Sequence, residues 1–289
     1  MGGPPLVLHP QVLYAGAMRP VSNVRLRVGI LVAFCSIFSV LGLTQMRERI
    51  WARYEAEMQD PVDDPPDAGR KGEFVIGRLR YRSPLDRRRW GYARWGIDAN
   101  KGDRLFIGIL RRLTRIDVQP IETIIDIDSD EIFDLPFLLA ISVGDWELSP
   151  SQAERLRKYF DRGGFLMVDD FHSDREWAIF MRGMRQIYPE VEVVELDDSF
   201  PAFHVLFDLK DRVRVPGANV VHGDGIERGG TVPHWRAVLD SRGRMIVAIS
   251  FNMDVGDGWE FADDPDYPER FANEAIRLGT NYAIYALTH

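Results

Sequence analysis

The chain has 289 residues, of which 45% are hydrophobic and 28% are charged, and its net charge is -8. This composition is typical of a globular protein, and the acidic balance argues against nucleic acid as a partner. The one cysteine, Cys35, lies in an apolar N-terminal segment, so the rest of the chain holds no thiol nucleophile, no disulfide and no cysteine-ligated metal.

The N-terminal part divides into a basic tail, residues 1–27, and a charge-free segment, VGILVAFCSIFSVLGLT, over residues 28–44. As a helix this segment is about 25 Å long, slightly less than a membrane core of about 30 Å, and flanking arginines can extend it. A membrane anchor, a cleaved signal peptide and a buried core helix are the three interpretations. The lack of a clean small-x-small cleavage site favours an anchor. We therefore expect the chain to bind the membrane through residues 28–44.

Residues 45–72 are predicted to form a disordered acidic, proline-rich linker. The stretch 56–72 contains three prolines, four aspartates and two glycines, which is typical of a solvated, extended spacer. We therefore expect the folded domain to cover residues 73–289 and to fold without the segments before it.

Strand and helix patterns alternate along residues 73–289. Strands are predicted at 73–81, 137–143, 165–171, 191–196, 235–240 and 244–251, and the first is expected to have one polar face carrying Arg78 and Arg80. Helices are predicted at 101–114, 149–164, 174–189 and 268–289. Buried strands alternating with helices indicate an α/β fold, a mainly parallel sheet with helices on both faces. Ligands of such folds bind at the carboxyl ends of the strands.

Two predicted strands end in polar residues of the types used in acid/base catalysis and metal binding. The strand FLMVDDF, residues 165–171, has Asp169 and Asp170 near its end and is followed by His172. The strand RMIVAISF, residues 244–251, is followed by Asn252 and Asp254. Carboxylates and an imidazole at such turns serve acid/base chemistry or bind a divalent metal. The alternative is structural: Asp174 caps the next helix and Asp170 bonds loop amides. Our candidate catalytic residues are Asp169, Asp170, His172 and Asp254.

The loop after the second strand end reads Gly256-Asp257-Gly258. This acidic turn is a candidate calcium-binding loop, but it lacks the oxygen-ligand spacing of an EF-hand, so no metal ligand is assigned from the sequence and no cofactor is predicted.

Aromatic and basic residues are concentrated between the first predicted strand and helix. Trp90 and Trp95 lie among arginines there, and either line a sugar or anion site or pack over a sheet edge. We take Trp90, Trp95 and Asn252 as candidate ligand-binding residues, with the Trp90–Trp95 loop as the lid of the strand-end pocket. Residues 73–115 hold twelve basic and four acidic residues, whereas 116–289 hold sixteen and thirty-three. This basic block either binds an anion or lies beside the acidic remainder of the domain.

The stretches GEFVIGRLRY, GGFLMVDDFHSDREW, FNMDVGDGWE and RLGTNYAIY resemble a bacterial family, domain-of-unknown-function family 4159, over nearly all of residues 73–289. That family is similar to the class I glutamine amidotransferase-like group, of the trehalose-utilisation type and with a flavodoxin-like fold. The resemblance implies an exported domain, at the bacterial inner membrane and facing the periplasm. It also implies a MoxR-type ATPase and von Willebrand factor A domain proteins as partners.

The chain departs from the amidotransferase pattern at its catalytic positions. That group has a nucleophilic cysteine at a strand-to-helix elbow and a His-x-Glu pair after a later strand. Here the elbow falls at Asp169–Asp170, and the later pair is Asn252-x-Asp254. A carboxylate cannot form the thioester and Asn252 cannot act as a general base. We therefore predict a ligand-binding or assembly module. The alternative is a hydrolase that uses the strand-end Asp and His residues, with or without a metal.

Overall fold

A computed structural model describes residues 2–3, 49–86 and 91–289 of the chain. The strands are β1 (Ile76–Arg80), β2 (Thr123–Asp126), β3 (Phe137–Ile141), β4 (Phe165–Phe171), β5 (Val194–Glu195), β6 (His234–Leu239) and β7 (Met245–Phe251). The α-helices of the described residues are α1 (Lys101–Leu113), α2 (Pro150–Asp161), α3 (Ser173–Ile187), α4 (Val255–Glu260) and α5 (Glu269–Thr288).

The strands form one sheet in the order β2-β1-β3-β4-β7-β6-β5. Neighbours from β2 to β7 are parallel, and β6 is antiparallel to both β7 and β5. The predicted α/β class with a mainly parallel sheet is therefore confirmed. The predicted hairpin of β6 and β7 is confirmed as well.

Helices cover both faces of this sheet, and β3 shows why the sequence requires it. Leu138 and Ala140 point into one apolar cluster, which contains residues of α2 and α3. Phe137, Leu139 and Ile141 point into a second cluster, which contains residues of α1 and α5. A strand with apolar side chains on both faces is stable only when both faces are covered.

The helices after β3 and β4 begin differently. Helix α2 has a capping box, in which the Ser149 hydroxyl accepts from the Gln152 amide at 3.2 Å and the Gln152 side chain accepts from the Ser149 amide at 3.0 Å. Helix α3 has His172 as its N-cap, without a side-chain cap. Glu176 instead accepts from the His172 amide at 2.7 Å, so the predicted capping role of Asp174 is wrong.

Residues 49–72, the N-terminal strap, pack on the domain. The strap contains a 3-10 helix, Ala52–Glu57, and the Arg80 guanidinium donates to both oxygens of Glu57 at 2.8 and 2.9 Å. Arg104 donates to the carbonyl of Val62 at 2.9 Å and to the carboxylate of Asp64 at 2.7 Å. The prediction of a solvated, extended spacer is therefore wrong over the strap, because arginines of β1 and α1 supply partners for its acidic residues. Residues 49–289 form one compact unit.

The predicted polar face of β1 is also wrong at Arg78, whose side chain is 1% exposed. Its guanidinium donates to both carboxylate oxygens of Asp103 on α1, at 2.9 and 2.8 Å. Because α1 supplies a paired carboxylate, the arginine lies inside the domain without an uncompensated charge.

The remaining differences concern short elements. The strand predicted at 191–196 is limited to Val194–Glu195, and both β2 and α4 were not predicted. No helix among the described residues is long and apolar enough to span a membrane. The predicted anchor, residues 28–44, lies outside the described part of the chain.

Candidate functional site

The carboxyl ends of β4 and β7 lie side by side, and β4 departs from regular geometry there. The pairing register shifts between Val168 and Phe171, and Asp170 has a left-handed backbone with φ 52°. The two adjacent carboxylates therefore reach different partners. Asp169 accepts from the Gly256 amide at 2.7 Å, whereas Asp170 accepts from the Ser142 hydroxyl, at the end of β3, at 3.0 Å.

Asp170 belongs to a group of mutually bonded side chains that we call the strand-end network. Arg228, from the loop before β6, donates to the Asp170 carboxylate at 2.5 Å and to its backbone carbonyl at 2.9 Å. The same guanidinium lies 3.2 Å from both Glu176 and Glu227. The members of the network are Ser142, Asp170, His172, Glu176, Glu227 and Arg228.

His172 completes this network from the Asp170 side. Its Nε2 lies 3.3 Å from an Asp170 oxygen and 3.7 Å from a Glu227 oxygen. Its Nδ1 is buried and has no hydrogen-bond partner among the described residues. Asp170, His172 and Glu227 place one potential ligand atom each within 4.8 Å of one another. The set resembles a metal site in spacing, but Arg228 already supplies the positive charge.

Asn252 and Asp254 hold the backbone around the end of β7. Asn252 has φ 59°; its side chain accepts from the Ser173 amide at 3.0 Å and donates to the Val232 carbonyl at 2.7 Å. Asp254 caps α4 by accepting from the Asp257 amide at 2.8 Å. Both side chains therefore tie neighbouring loops to the sheet.

A second group of carboxyls, the three-carboxyl cluster, consists of Asp98, which precedes α1, and of Asp257 and Glu260, which belong to α4. Asp98, Asp257 and Glu260 place one oxygen each within 4.8 Å of one another, and all three are buried. The side chain of Asp254 is close to this cluster, because a Cβ on Gly217 would meet Asp254 Oδ2 at 3.2 Å and Asp257 Oδ2 at 3.4 Å. The β4–β7 end of the sheet is therefore densely acidic.

The pKa of Asp170 and the pKa values of the three-carboxyl cluster are shifted in opposite directions. Burial acts to raise the pKa of Asp170, but the charge of Arg228 and the hydrogen bond with His172 outweigh it, so the pKa of Asp170 is below its ordinary value. Burial raises the pKa of Asp98 well above the ordinary range, and the neighbouring Asp257 adds to this. Burial likewise raises the pKa of Asp257 to about 6 and of Glu260 to about 7.

Asp169 and Asp254, which lie near the cluster, have raised pKa values like its three carboxyls. Burial raises the pKa of Asp169 well above its ordinary value, against the hydrogen bond from Gly256. Burial and the charge of Asp257 raise the pKa of Asp254 in the same direction. Within the strand-end network burial also raises the pKa values of Glu176 and Glu227, against the charge of Arg228, and only that of Asp170 is lowered. The cluster behind it favours protonated carboxyls.

The structure brings Asp169, Asp170, His172 and Asn252 together with Asp254 at one end of the sheet. Trp95 is elsewhere: it is 1% exposed and its indole donates to Glu57 at 3.0 Å. Trp90 lies outside the described residues. Sequence reasoning missed seven residues of the two groups. Two of them, Ser142 and Glu176, lie in predicted elements but carry no signal of their own. The other five lie in loops or in an unpredicted helix: Asp98, Glu227, Arg228, Asp257 and Glu260.

The fold and the site define an α/β domain with a mainly parallel sheet and an acidic strand-end site without a cysteine. The family model described as "Domain of unknown function (DUF4159)" matches residues 75–287. The chain therefore belongs to this family, as the sequence resemblance indicated. No curated protein matches the chain.

Proposed function

We propose that this domain is a non-catalytic binding or assembly module on an amidotransferase-like scaffold, held at the inner membrane by residues 28–44 with the domain in the periplasm. One observation carries the proposal. At the strand end where an amidotransferase has its nucleophile, Asp170 is bonded at once by Arg228, Ser142 and His172. Side chains that satisfy one another in this way build a rigid surface, and both oxygens of Asp170 already have partners.

The burial of the same residues supports this proposal. Ser142 has a left-handed backbone, φ 59°, and lies at a strand end, as a nucleophile would. Its side chain is 0% exposed and donates to a carboxylate rather than to a histidine. A serine nucleophile needs a base in hydrogen-bond contact and room for the substrate. Among the described residues no histidine contacts Ser142, and its side chain is buried from solvent.

The second candidate is a hydrolase, which one specific observation favours. His172 Nδ1 is buried without a hydrogen-bond partner among the described residues, and a histidine with a free ring nitrogen beside a carboxylate is able to act as a general base. For this function Glu227 and Arg228 must move away from the strand end so that a substrate can enter.

The substitution Asp170→Asn distinguishes the two functions. If the domain is a module, the Asp170→Asn variant should be less stable than the wild type, because Arg228 loses one of its charged partners in a buried position. The wild type is then expected to hydrolyse neither glutamine, esters nor phosphoesters. The matched control is Asp130→Asn, which removes an exposed carboxylate from its pair with Arg155. Wild-type turnover that disappears in a fully stable Asp170→Asn protein would establish the hydrolase instead.

Assembly is tested with the partners that the family resemblance implies. The full chain, purified in detergent, is mixed with the MoxR-type ATPase and the von Willebrand factor A domain protein encoded nearest to it. Co-elution in size-exclusion chromatography is expected with at least one of them. Separate elution of all components, with and without ATP, would contradict an assembly role with these partners.

A further inference from the structure

The three-carboxyl cluster differs from the strand-end network in having unpartnered oxygens. Asp98 Oδ2 and Glu260 Oε2 are both buried and have no hydrogen-bond partner among the described residues, and their residues are 2% and 3% exposed. A buried carboxylate oxygen without a hydrogen-bond partner destabilises the folded state. Two such oxygens in one cluster point to a ligand that supplies what the protein does not.

Neither Arg78 nor Lys101 forms an ion pair with the cluster. The buried guanidinium of Arg78 donates instead to both oxygens of Asp103 and to the Ile97 carbonyl. The ammonium of Lys101 lies 4.8 Å from the centre of the Phe261 ring, and its charge lowers the pKa of Glu260 without outweighing burial. This contrasts with the strand-end network, where Arg228 contacts three carboxylates.

The backbone around the cluster is shaped to admit these carboxylates. A Cβ on Gly256 would lie 2.2 Å from Asp98 Oδ2, and a Cβ on Gly102 would lie 3.5 Å from Glu260 Cβ. Only glycine at position 256 leaves room for the Asp98 carboxylate at the start of α4. Asp257 is fixed as well, because its Oδ2 accepts from the Ala218 amide at 2.6 Å.

We propose that Asp98, Asp257 and Glu260 bind a hard divalent cation, and that this cation is Ca²⁺. The ligand set is all oxygen, which excludes a preference for zinc or copper. Three carboxylates on one ion favour Ca²⁺ over Mg²⁺, because Mg²⁺ usually binds one or two carboxylates and keeps several waters. The three oxygens lie within 4.8 Å of one another, so they are near enough to share one ion. Asp254 would orient the ligand Asp257, because its carboxylate accepts from the Asp257 amide at 2.8 Å.

The bound cation would join distant parts of the chain. Asp98 precedes α1 in the N-terminal half, and Asp257 and Glu260 belong to α4 near the C-terminus. Cross-linking these segments stabilises the folded state against the unfolded chain. This site does not depend on the proposed module function, since it involves different residues and a different readout.

The experiment measures thermal unfolding of the full chain in detergent, after removal of divalent ions with EDTA. For a dissociation constant of about 10 µM, addition of about 1 mM Ca²⁺ raises the unfolding midpoint by about 5 °C or more. Glu260→Gln and Asp98→Asn should abolish this shift. Both substitutions keep side-chain shape, and asparagine tolerates the left-handed backbone of Asp98, φ 57°.

Two controls make the result specific. Asp263→Asn removes an exposed carboxylate near α4 and should retain the full Ca²⁺ shift. Glu227→Gln tests the neighbouring network as the binding place. The proposal is overturned if Ca²⁺ does not shift the wild-type midpoint, if Glu260→Gln keeps the shift, or if Glu227→Gln alone loses it. A shift with Mg²⁺ and none with Ca²⁺ would overturn the choice of ion.

Discussion

Removal of the Arg228 charge tests whether the strand-end network holds the fold together. Arg228→Gln leaves Asp170, Glu176 and Glu227 as neighbouring carboxylates, the first two with 3% and 5% exposed side chains. Removing one partner of a buried ion pair typically costs about 3–5 kcal/mol. Because the Arg228 side chain is 26% exposed, we expect a value near the lower end, about 3 kcal/mol.

The assay is urea unfolding of residues 49–289, with thermal unfolding as a second measure. For a domain of this size a loss of about 3 kcal/mol lowers the midpoint by roughly 6–12 °C. The matched control is Arg155→Gln on α2, whose partner Asp130 has a 91% exposed side chain. An exposed pair contributes about 0–1 kcal/mol, so this variant should unfold close to the wild type.

The pH dependence gives a second measurement of the same effect. In the wild type the pKa of Asp170 is lowered, so this group stabilises the folded state above its ordinary pKa of 3.8 and loses that contribution as the pH falls. The difference between wild type and Arg228→Gln should therefore be largest near neutral pH and shrink in acid. Combining it with Asp170→Asn should recover part of the loss. A cost below about 1 kcal/mol at neutral pH would refute this reasoning.

Three further outcomes are expected. Burial raises the pKa of Glu122 to about 7 from 4.5, so this group stabilises the fold below pH 4.5 and loses that effect as the pH rises through 7; Glu122→Gln should flatten this fall in the free energy of unfolding, and equal slopes would contradict it. Tyr81→Phe removes a buried hydrogen bond of 2.5 Å to the Ile141 carbonyl and should cost about 1–2 kcal/mol in urea unfolding, whereas Tyr188→Phe, which removes an exposed bond, should cost little. The full chain should stay with membranes after high-salt and alkaline washing; release with a new N-terminus after residues 28–44 would show a cleaved signal peptide instead.

Long, strongly patterned elements were predictable from the sequence. The segment FLMVDDF, which begins with four apolar residues after a glycine pair, predicted β4 at the bounds Phe165–Phe171 that the structure has. The Ser149-Pro150 start predicted α2 because both residues fix a helix N-terminus locally. The carboxyl-end rule also indicated where polar residues of β4 and β7 would meet.

What the sequence did not predict depends on distant partners. Helix α4 contains two glycines, so its local pattern indicated a turn, and its formation depends on the Asp254 cap and on packing. Arg78 looked like a surface residue because Asp103, its partner, lies on another element. Arg228 comes from an irregular loop, and no periodic pattern relates that loop to the end of β4.

The N-terminal strap has a consequence for how fragments of this family behave. The family match begins at residue 75, so a fragment cut at that boundary lacks Glu57 and Asp64, the acidic partners of Arg80 and Arg104. Each arginine keeps one other acidic partner, Asp126 for Arg80 and Glu122 for Arg104, but loses its bonds to the strap, so the fragment should unfold at a lower temperature than residues 49–289. Low stability measured on such a fragment would therefore report the cut, and it should recover when residues 49–74 are restored.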